Sequence, residues 1–168
     1  MLRLTRGHRL ALTALLVFGV AGSTVGCASV VENLIPAEVK QQQQEATENL
    51  QGALMEIIPA ATEVKVSMEL DGLSLLTTAD VTLAQPTLSD DEFRSVIREL
   101  YYVAEAAGDA ADFANLQMHA TFESEAVDLG AQALAFGLPE KVVTEDGQLK
   151  ANARDLLDLG AEAFESQE

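Results

Sequence analysis

The chain has 168 residues, a hydrophobic content of 48% and a formal net charge of −17, from ten basic and 27 acidic residues. This length allows one domain with a modest core, and the aromatic content of 5% means that aliphatic side chains must fill it. A surface this acidic repels nucleic-acid phosphates, which excludes nucleic acid as a partner.

The N-terminus has the parts of a secretory signal peptide. Arginines at positions 3, 6 and 9 precede the apolar segment 10–26, and no acidic residue occurs before Glu32. Small residues become frequent from Ala21 onward and lead directly to Cys27, the only cysteine. A positive segment, an apolar segment and a small-residue cleavage site in this order are typical of a signal peptide. We therefore predict a signal peptide over residues 1–26.

The run Thr24-Val25-Gly26-Cys27 resembles the lipobox of bacterial lipoproteins, with Thr24 where that family most often has leucine. In that family the chain is cut before the cysteine, whose thiol carries a diacylglycerol, and the new N-terminus is often acylated too. The resemblance covers the first 27 residues. It implies cleavage between Gly26 and Cys27, lipidation of Cys27 with palmitate-type chains, and a lipid anchor on the extracytoplasmic face of the cell membrane. Two or three acyl chains hold a soluble domain at a bilayer, whereas one does not.

Two other interpretations of this segment stay open. One is an uncleaved anchor, although residues 10–26 are shorter and more polar than the ~20 apolar residues of a membrane span. The other is an ordinary signal peptide followed by an incidental cysteine. The position of Cys27 directly after Val25-Gly26 argues against the second alternative.

The predicted mature chain, residues 27–168, is more acidic than the whole. It keeps all 27 acidic and seven of the ten basic residues, so its net charge is 7 − 27 = −20. Solubility and stand-off from the membrane explain this charge most simply; diffuse cation binding or a basic partner is the alternative. With Cys27 lipidated there is no thiol for a disulfide, so packing alone must hold the fold.

Residues 27–36 are predicted to form a lipidated tether and residues 37–168 a single α+β domain. Pro36 suits the first position of a helix, and the helical pattern runs to about Ile58, before Pro59. The apolar stripe of this helix comprises Val39, Ala46, Leu50, Ala53, Leu54 and Ile57.

Residues 62–83 predict a β-hairpin. Apolar residues alternate with polar ones up to Leu70, and the alternation resumes after Asp71-Gly72. Asp-Gly favours a two-residue type I′ turn, which would place Leu70 opposite Leu73 and Val64 opposite Ala79. Leu76 is an exception on the polar side.

A second helix is predicted after Pro86. Ser89 and Glu92 form a capping box, with Leu88 and Phe93 at the staple positions on either side. Apolar residues recur at helical spacing as far as Ala107, and Gly108 is the expected stop.

The remaining elements are predicted to be shorter. Alternation over 114–122 predicts a third strand, and Asp128 is the expected cap of a short helix, 129–136. A fourth strand is predicted over 141–144, and a terminal helix from Leu149.

The fold class is therefore α+β, a small mainly antiparallel sheet (the hairpin plus the third strand) with helices packed on one face. The α-β-β-α-β order is similar to that of the BON domains of bacterial envelope proteins, which are associated with phospholipid. The similarity covers element order over about half the chain and implies fold alone.

The sequence offers little catalytic chemistry. His119 is the only histidine after the predicted signal peptide, it falls on the polar side of the third strand, and no G-x-S-x-G turn is present. One histidine cannot fill a zinc site. The acidic clusters 90–92 and 123–125 do not fit a calcium-loop motif. We predict no catalytic residues, no metal site and no cofactor.

These observations favour a non-enzymatic lipoprotein of the cell envelope that serves as a binding or structural module, with an unknown protein or small-ligand partner. One alternative is a lipid- or small-ligand-binding module with an apolar groove between sheet and helices. A carboxylate-based enzyme dependent on a divalent cation is the other.

Overall fold

A computed structural model describes residues 37–71, 74–144 and 146–160 of the chain. The α-helices are α1 (Ala37–Ile57), α2 (Asp90–Ala107), α3 (Leu129–Ala135) and α4 (Ala153–Leu159), and 3₁₀ helices span Gly108–Phe113 and Glu140–Val142. The strands are β1 (Ala61–Asp71), β2 (Ser74–Leu83), β3 (Ala114–Phe122), β4 (Glu125–Ala126) and β5 (Leu149–Asn152). The α+β class predicted from the sequence is confirmed.

The strands form one mixed sheet. β1 pairs with β2 in antiparallel orientation, and β2 pairs with β3 in parallel orientation. The other side of β3 pairs antiparallel with β5 and, at its end, with β4. The parallel pair arises because α2 carries the chain back along the sheet between β2 and β3, as a parallel connection requires. The other pairings are antiparallel, so the prediction of a mainly antiparallel sheet is confirmed.

α1 follows the predicted bounds closely. The amide of Ile58 still donates to the Leu54 carbonyl at 3.0 Å, and Pro59, which cannot extend the helix, comes next. The buried stripe is Ala46, Leu50, Leu54 and Ile58, a set with a spacing of four residues. Ala53 and Ile57 are half-buried, and Ile58 was not predicted to be in the stripe; the side chain of Val39 and the whole of Pro36 lie outside the described part.

The β1–β2 hairpin is confirmed, but the predicted register is wrong by two residues. Leu70 pairs with Leu75 and Val64 with Val81, so the connection is 72–73 and not Asp71-Gly72. A shift of two residues leaves every side chain on the same face of the sheet. The hydrophobic alternation therefore fits both registers equally well, and the Asp-Gly pair alone was insufficient to choose between them.

α2 has the predicted capping box. Ser89 Oγ accepts from the amide of Glu92 at 3.3 Å, and the amide of Ser89 donates to Glu92 Oε2 at 2.8 Å. Both predicted staple residues, Leu88 and Phe93, are buried. The helix ends at Gly108, whose φ of 54° is accessible to glycine at little cost. The buried residues of α2 itself are Phe93, Val96, Ile97, Leu100, Val103, Ala104 and Ala107.

The C-terminal third differs from the prediction in two elements. Residues 140–142 are a 3₁₀ helix, and only Val143 makes an isolated bridge, to Leu149, where a strand was predicted over 141–144. Residues 149–152 form β5, so the terminal helix starts at Ala153 and not at Leu149. Leu149 and Ala151 are buried while Lys150 between them is exposed, which is the alternation of a strand. Asn152 then caps the helix, because its side-chain oxygen accepts from the Arg154 amide at 2.9 Å.

Candidate functional site on the uncovered face of the sheet

The two faces of the sheet differ in chemistry. On the core face, β2 buries every second residue from Leu75 to Leu83, and β3 does the same from Ala114 to Ala120. The residues between them point to the opposite side and are exposed or half-buried, so none of the described helices buries that side. We call it the polar face. It comprises Glu63, Lys65, Ser67 and Glu69 of β1; Ser74, Leu76, Thr78, Asp80 and Thr82 of β2; Asn115, Gln117, His119 and Thr121 of β3; and Lys150 and Asn152 of β5.

His119 is held at both ring nitrogens in the middle of the polar face. The parallel register of β2 and β3 sets Asp80 beside His119, and Asp80 Oδ1 lies 3.0 Å from His119 Nδ1. Gln117 Nε2 lies 2.6 Å from His119 Nε2. A neutral ring that donates from Nδ1 to Asp80 and accepts the Gln117 amide proton at Nε2 satisfies both contacts. Both ring nitrogens of His119 therefore have hydrogen-bond partners on the polar face.

The central strands of the polar face carry little charge for so acidic a chain. Among the nine outward-facing residues of β2 and β3, Asp80 is the only acid and none is Lys or Arg. The others supply hydroxyl, amide and imidazole groups, together with the half-buried Leu76. Such groups both donate and accept hydrogen bonds. The arrangement can therefore offer both hydrogen-bond donors and hydrogen-bond acceptors to a polar partner.

The acidic clusters singled out in the sequence have local structural roles. Asp90, Asp91 and Glu92 form the first turn of α2, where carboxylates are favoured by the helix dipole. Glu123 lies in the tight turn between β3 and β4, with φ of 51°. No group of three or more His, Cys, Asp or Glu side chains within residues 37–71, 74–144 and 146–160 is arranged to hold a metal ion.

Glu92 is a half-buried carboxylate that accepts three hydrogen bonds. Partial burial raises its pKa, but hydrogen bonds from Ser89 Oγ, the Ser89 amide and the Ala60 amide outweigh this effect and hold the pKa below its ordinary value. Glu92 Oε1 accepts from Ala60 N at 3.0 Å, which ties the start of α2 to the turn between α1 and β1. This carboxylate therefore stabilises the fold and is not part of the polar face.

A small apolar cavity lies between the sheet and α2. It has a volume of about 20 Å³ and is lined by residues that include Met68, Leu75 and Val103. That space holds about one water, whereas small-molecule sites typically measure several hundred Å³. This cavity therefore does not support the alternative of a lipid-binding groove beneath the helices.

The site residues predicted from the sequence, Gly26 and Cys27, lie outside the described part of the chain, so the predictions of cleavage and lipidation stay predictions. Within the described part, no helix combines the length and the apolar character that crossing a bilayer requires.

The contact of Asp80 with His119 is the part of this arrangement that the sequence did not reveal, whereas Gln117 is two residues from His119 on the same strand. Asp80 is 39 residues from His119 in the chain, and their contact depends on the parallel alignment of β2 with β3. Alternation placed both residues on the polar side, but alternation alone does not say which strands are neighbours.

In comparisons with known proteins, no family model, no curated protein and no solved structure matches this chain.

Proposed function

We propose that the protein is a membrane-anchored extracytoplasmic lipoprotein that serves the cell envelope as a non-enzymatic binding module. The observation that carries the proposal is the N-terminal sequence: three arginines, an apolar segment, and small residues ending in Gly26-Cys27. These features direct the chain to export and place a single thiol at the position that a lipoprotein acylates.

The spacing between Cys27 and the first described helix supports an anchored domain. Residues 28–36 separate the cysteine from Ala37, the first residue of α1. An extended chain of this length reaches about 30 Å. An acidic domain on such a tether can stand clear of an anionic membrane surface, which repels it.

The polar face is the surface that we assign to partner binding. It is the side of the sheet that the described helices leave open, and its hydrogen-bonding groups are fixed on adjacent strands. Groups held by the sheet lose little freedom when a partner binds, which favours affinity.

Membrane fractionation tests the anchor. The unaltered chain should stay in the membrane pellet after washes with high salt and alkali, because acyl chains do not respond to charge screening. The variant Cys27→Ser should appear in the wash, and the matched variant Ser29→Ala should stay in the pellet. Release of the unaltered chain by salt would contradict the proposal.

A further inference from the structure

β1 is a long edge strand, and no strand in the described part of the chain pairs with its outer side. It spans Ala61–Asp71, has β2 as its strand neighbour, and lies at the end of the strand order. Its side chains on the polar face, Glu63, Lys65, Ser67 and Glu69, are all exposed. Its core-side residues become more exposed toward the end of the strand: Val64 is 4% exposed and Leu70 is 41% exposed. An edge of this length, with unpaired backbone groups, is a template for another strand.

The charges of β1 are arranged for pairing with itself. When two copies of a strand pair in antiparallel orientation, side chains of the same face lie opposite each other only if the numbers of the paired residues differ by an even value. A two-fold axis at Ser67 sets Lys65 of each copy against Glu69 of the other, and sets Val66 against Met68. It also sets Val64 against the exposed Leu70, so the pairing covers apolar surface as well.

Other registers are less favourable. An axis at Val66 opposes Glu63 with Glu69, and an axis at Lys65 opposes that lysine with itself; like charges directly opposite are destabilising. An axis at Val64 leaves Leu70 uncovered and uses the irregular register between Ala61 and Glu63. An axis at Met68 joins fewer residues than the axis at Ser67, which pairs positions 63–71.

The ionic groups needed for this contact are available. Lys65 contacts Glu63 of its own chain at 3.0 Å, but the two side chains are 70% and 55% exposed, so the ion pair is weak. Glu69 makes no ion pair with any residue in the described part of the chain, and it lies beside Leu76 of β2. Lys65 can therefore turn to Glu69 of a second copy at little cost.

We propose that the protein forms a homodimer through antiparallel pairing of β1 with β1, with the two-fold axis at Ser67. The axis is perpendicular to the sheet, so both copies present their helices on one side and their polar faces on the other. The inference does not depend on the lipid anchor.

Cysteine cross-linking of the protein in intact cells tests the register, wherever the protein is located. Ser67→Cys should form a disulfide-linked dimer under mild oxidation, because directly opposed residues lie within disulfide reach. Thr62→Cys, at another exposed position of the same strand, should not, since this register separates the two copies of position 62 by about 30 Å. The unaltered chain, in which Cys27 is the only thiol, gives the background and reports separately whether Cys27 is blocked.

Charge reversal in the Ser67→Cys background tests the ion pairs. Lys65→Glu and Glu69→Lys should each reduce the cross-linked fraction by about tenfold, and the double variant should restore it. Circular dichroism checks that the single variants fold, as expected for exposed residues. Equal cross-linking at positions 62 and 67, no dimer at position 67, or no rescue by the double variant would overturn the proposal.

Discussion

Among single residues, Glu92 connects the start of α2 with the turn between α1 and β1. It accepts from Ser89 N, Ser89 Oγ and Ala60 N. We expect Glu92→Ala to lower the free energy of unfolding by about 1–3 kcal/mol, because hydrogen bonds to a charged group are lost and the half-buried Ala60 amide loses its partner. Urea denaturation measures this change.

Asp91→Ala is the matched control for Glu92→Ala. Asp91 lies in the same helical turn but is exposed, and its contribution is limited to the helix dipole. Its removal should cost less than about 1 kcal/mol. Equal losses from the two variants would show that Glu92 acts only as a charge at the helix start.

The lowered pKa of Glu92 also predicts a pH dependence. A carboxyl whose pKa is lower in the folded state contributes its full stability above its ordinary value of 4.5, and loses it as pH falls through the folded-state pKa. The stability difference between the unaltered protein and Glu92→Ala should therefore shrink below about pH 4.5. Denaturation curves from about pH 6 to pH 3 measure it, and a difference that grew with acid would contradict the assignment.

Residue contacts were predictable from the sequence only where they are local. The Ser89–Glu92 capping box lies within four residues and was identified from its spacing. The Ala60–Glu92 and Asp80–His119 contacts span 32 and 39 residues. No sequence spacing indicates such pairs, because they depend on how the elements pack.

Among the elements, those with strong local start and stop signals were predicted best. α1 ends before Pro59, and α2 begins at a capping box and ends at Gly108. The hairpin register was missed because alternation is unchanged by a shift of two residues. β5 was missed because four residues are too few to distinguish strand alternation from the first turn of a helix.

Two glycines on different helices give opposite predictions for substitution by alanine. A Cβ on Gly130 of α3 would lie 2.4 Å from Val143 Cγ1 and 3.1 Å from the Cα of Gly147. Gly130→Ala should therefore destabilise the protein by about 1–3 kcal/mol through overpacking. Gly52 of α1 is exposed and has no atom within 4 Å of that position. Gly52→Ala should stabilise by about 0.5–1 kcal/mol, because alanine favours the helix.

Thermal unfolding of the two alanine variants provides the comparison. The melting temperature should fall for Gly130→Ala and rise for Gly52→Ala. A rise in both would mean that the 144–148 segment can move away from α3 without loss, and that the close approach of Gly130 N to the Gly147 carbonyl, 2.6 Å, is not required for the fold.

For the whole molecule, the sequence predicted a sheet with a core side and a polar side, and the structure has both. The parallel alignment of β2 with β3 was not predicted, and it places Asp80 of β2 beside Gln117 and His119 of β3. The candidate binding surface is thus a product of topology, whereas the proposed anchor is a product of local sequence at Gly26-Cys27.

The intact mass of the protein extracted from membranes tests the central claim most directly, since export, cleavage and lipidation all change it. We predict the mass of residues 27–168 plus two or three acyl chains, and loss of the acyl mass in Cys27→Ser. An unmodified mass from another cleavage site, or an uncleaved chain, would contradict the proposed lipid anchor.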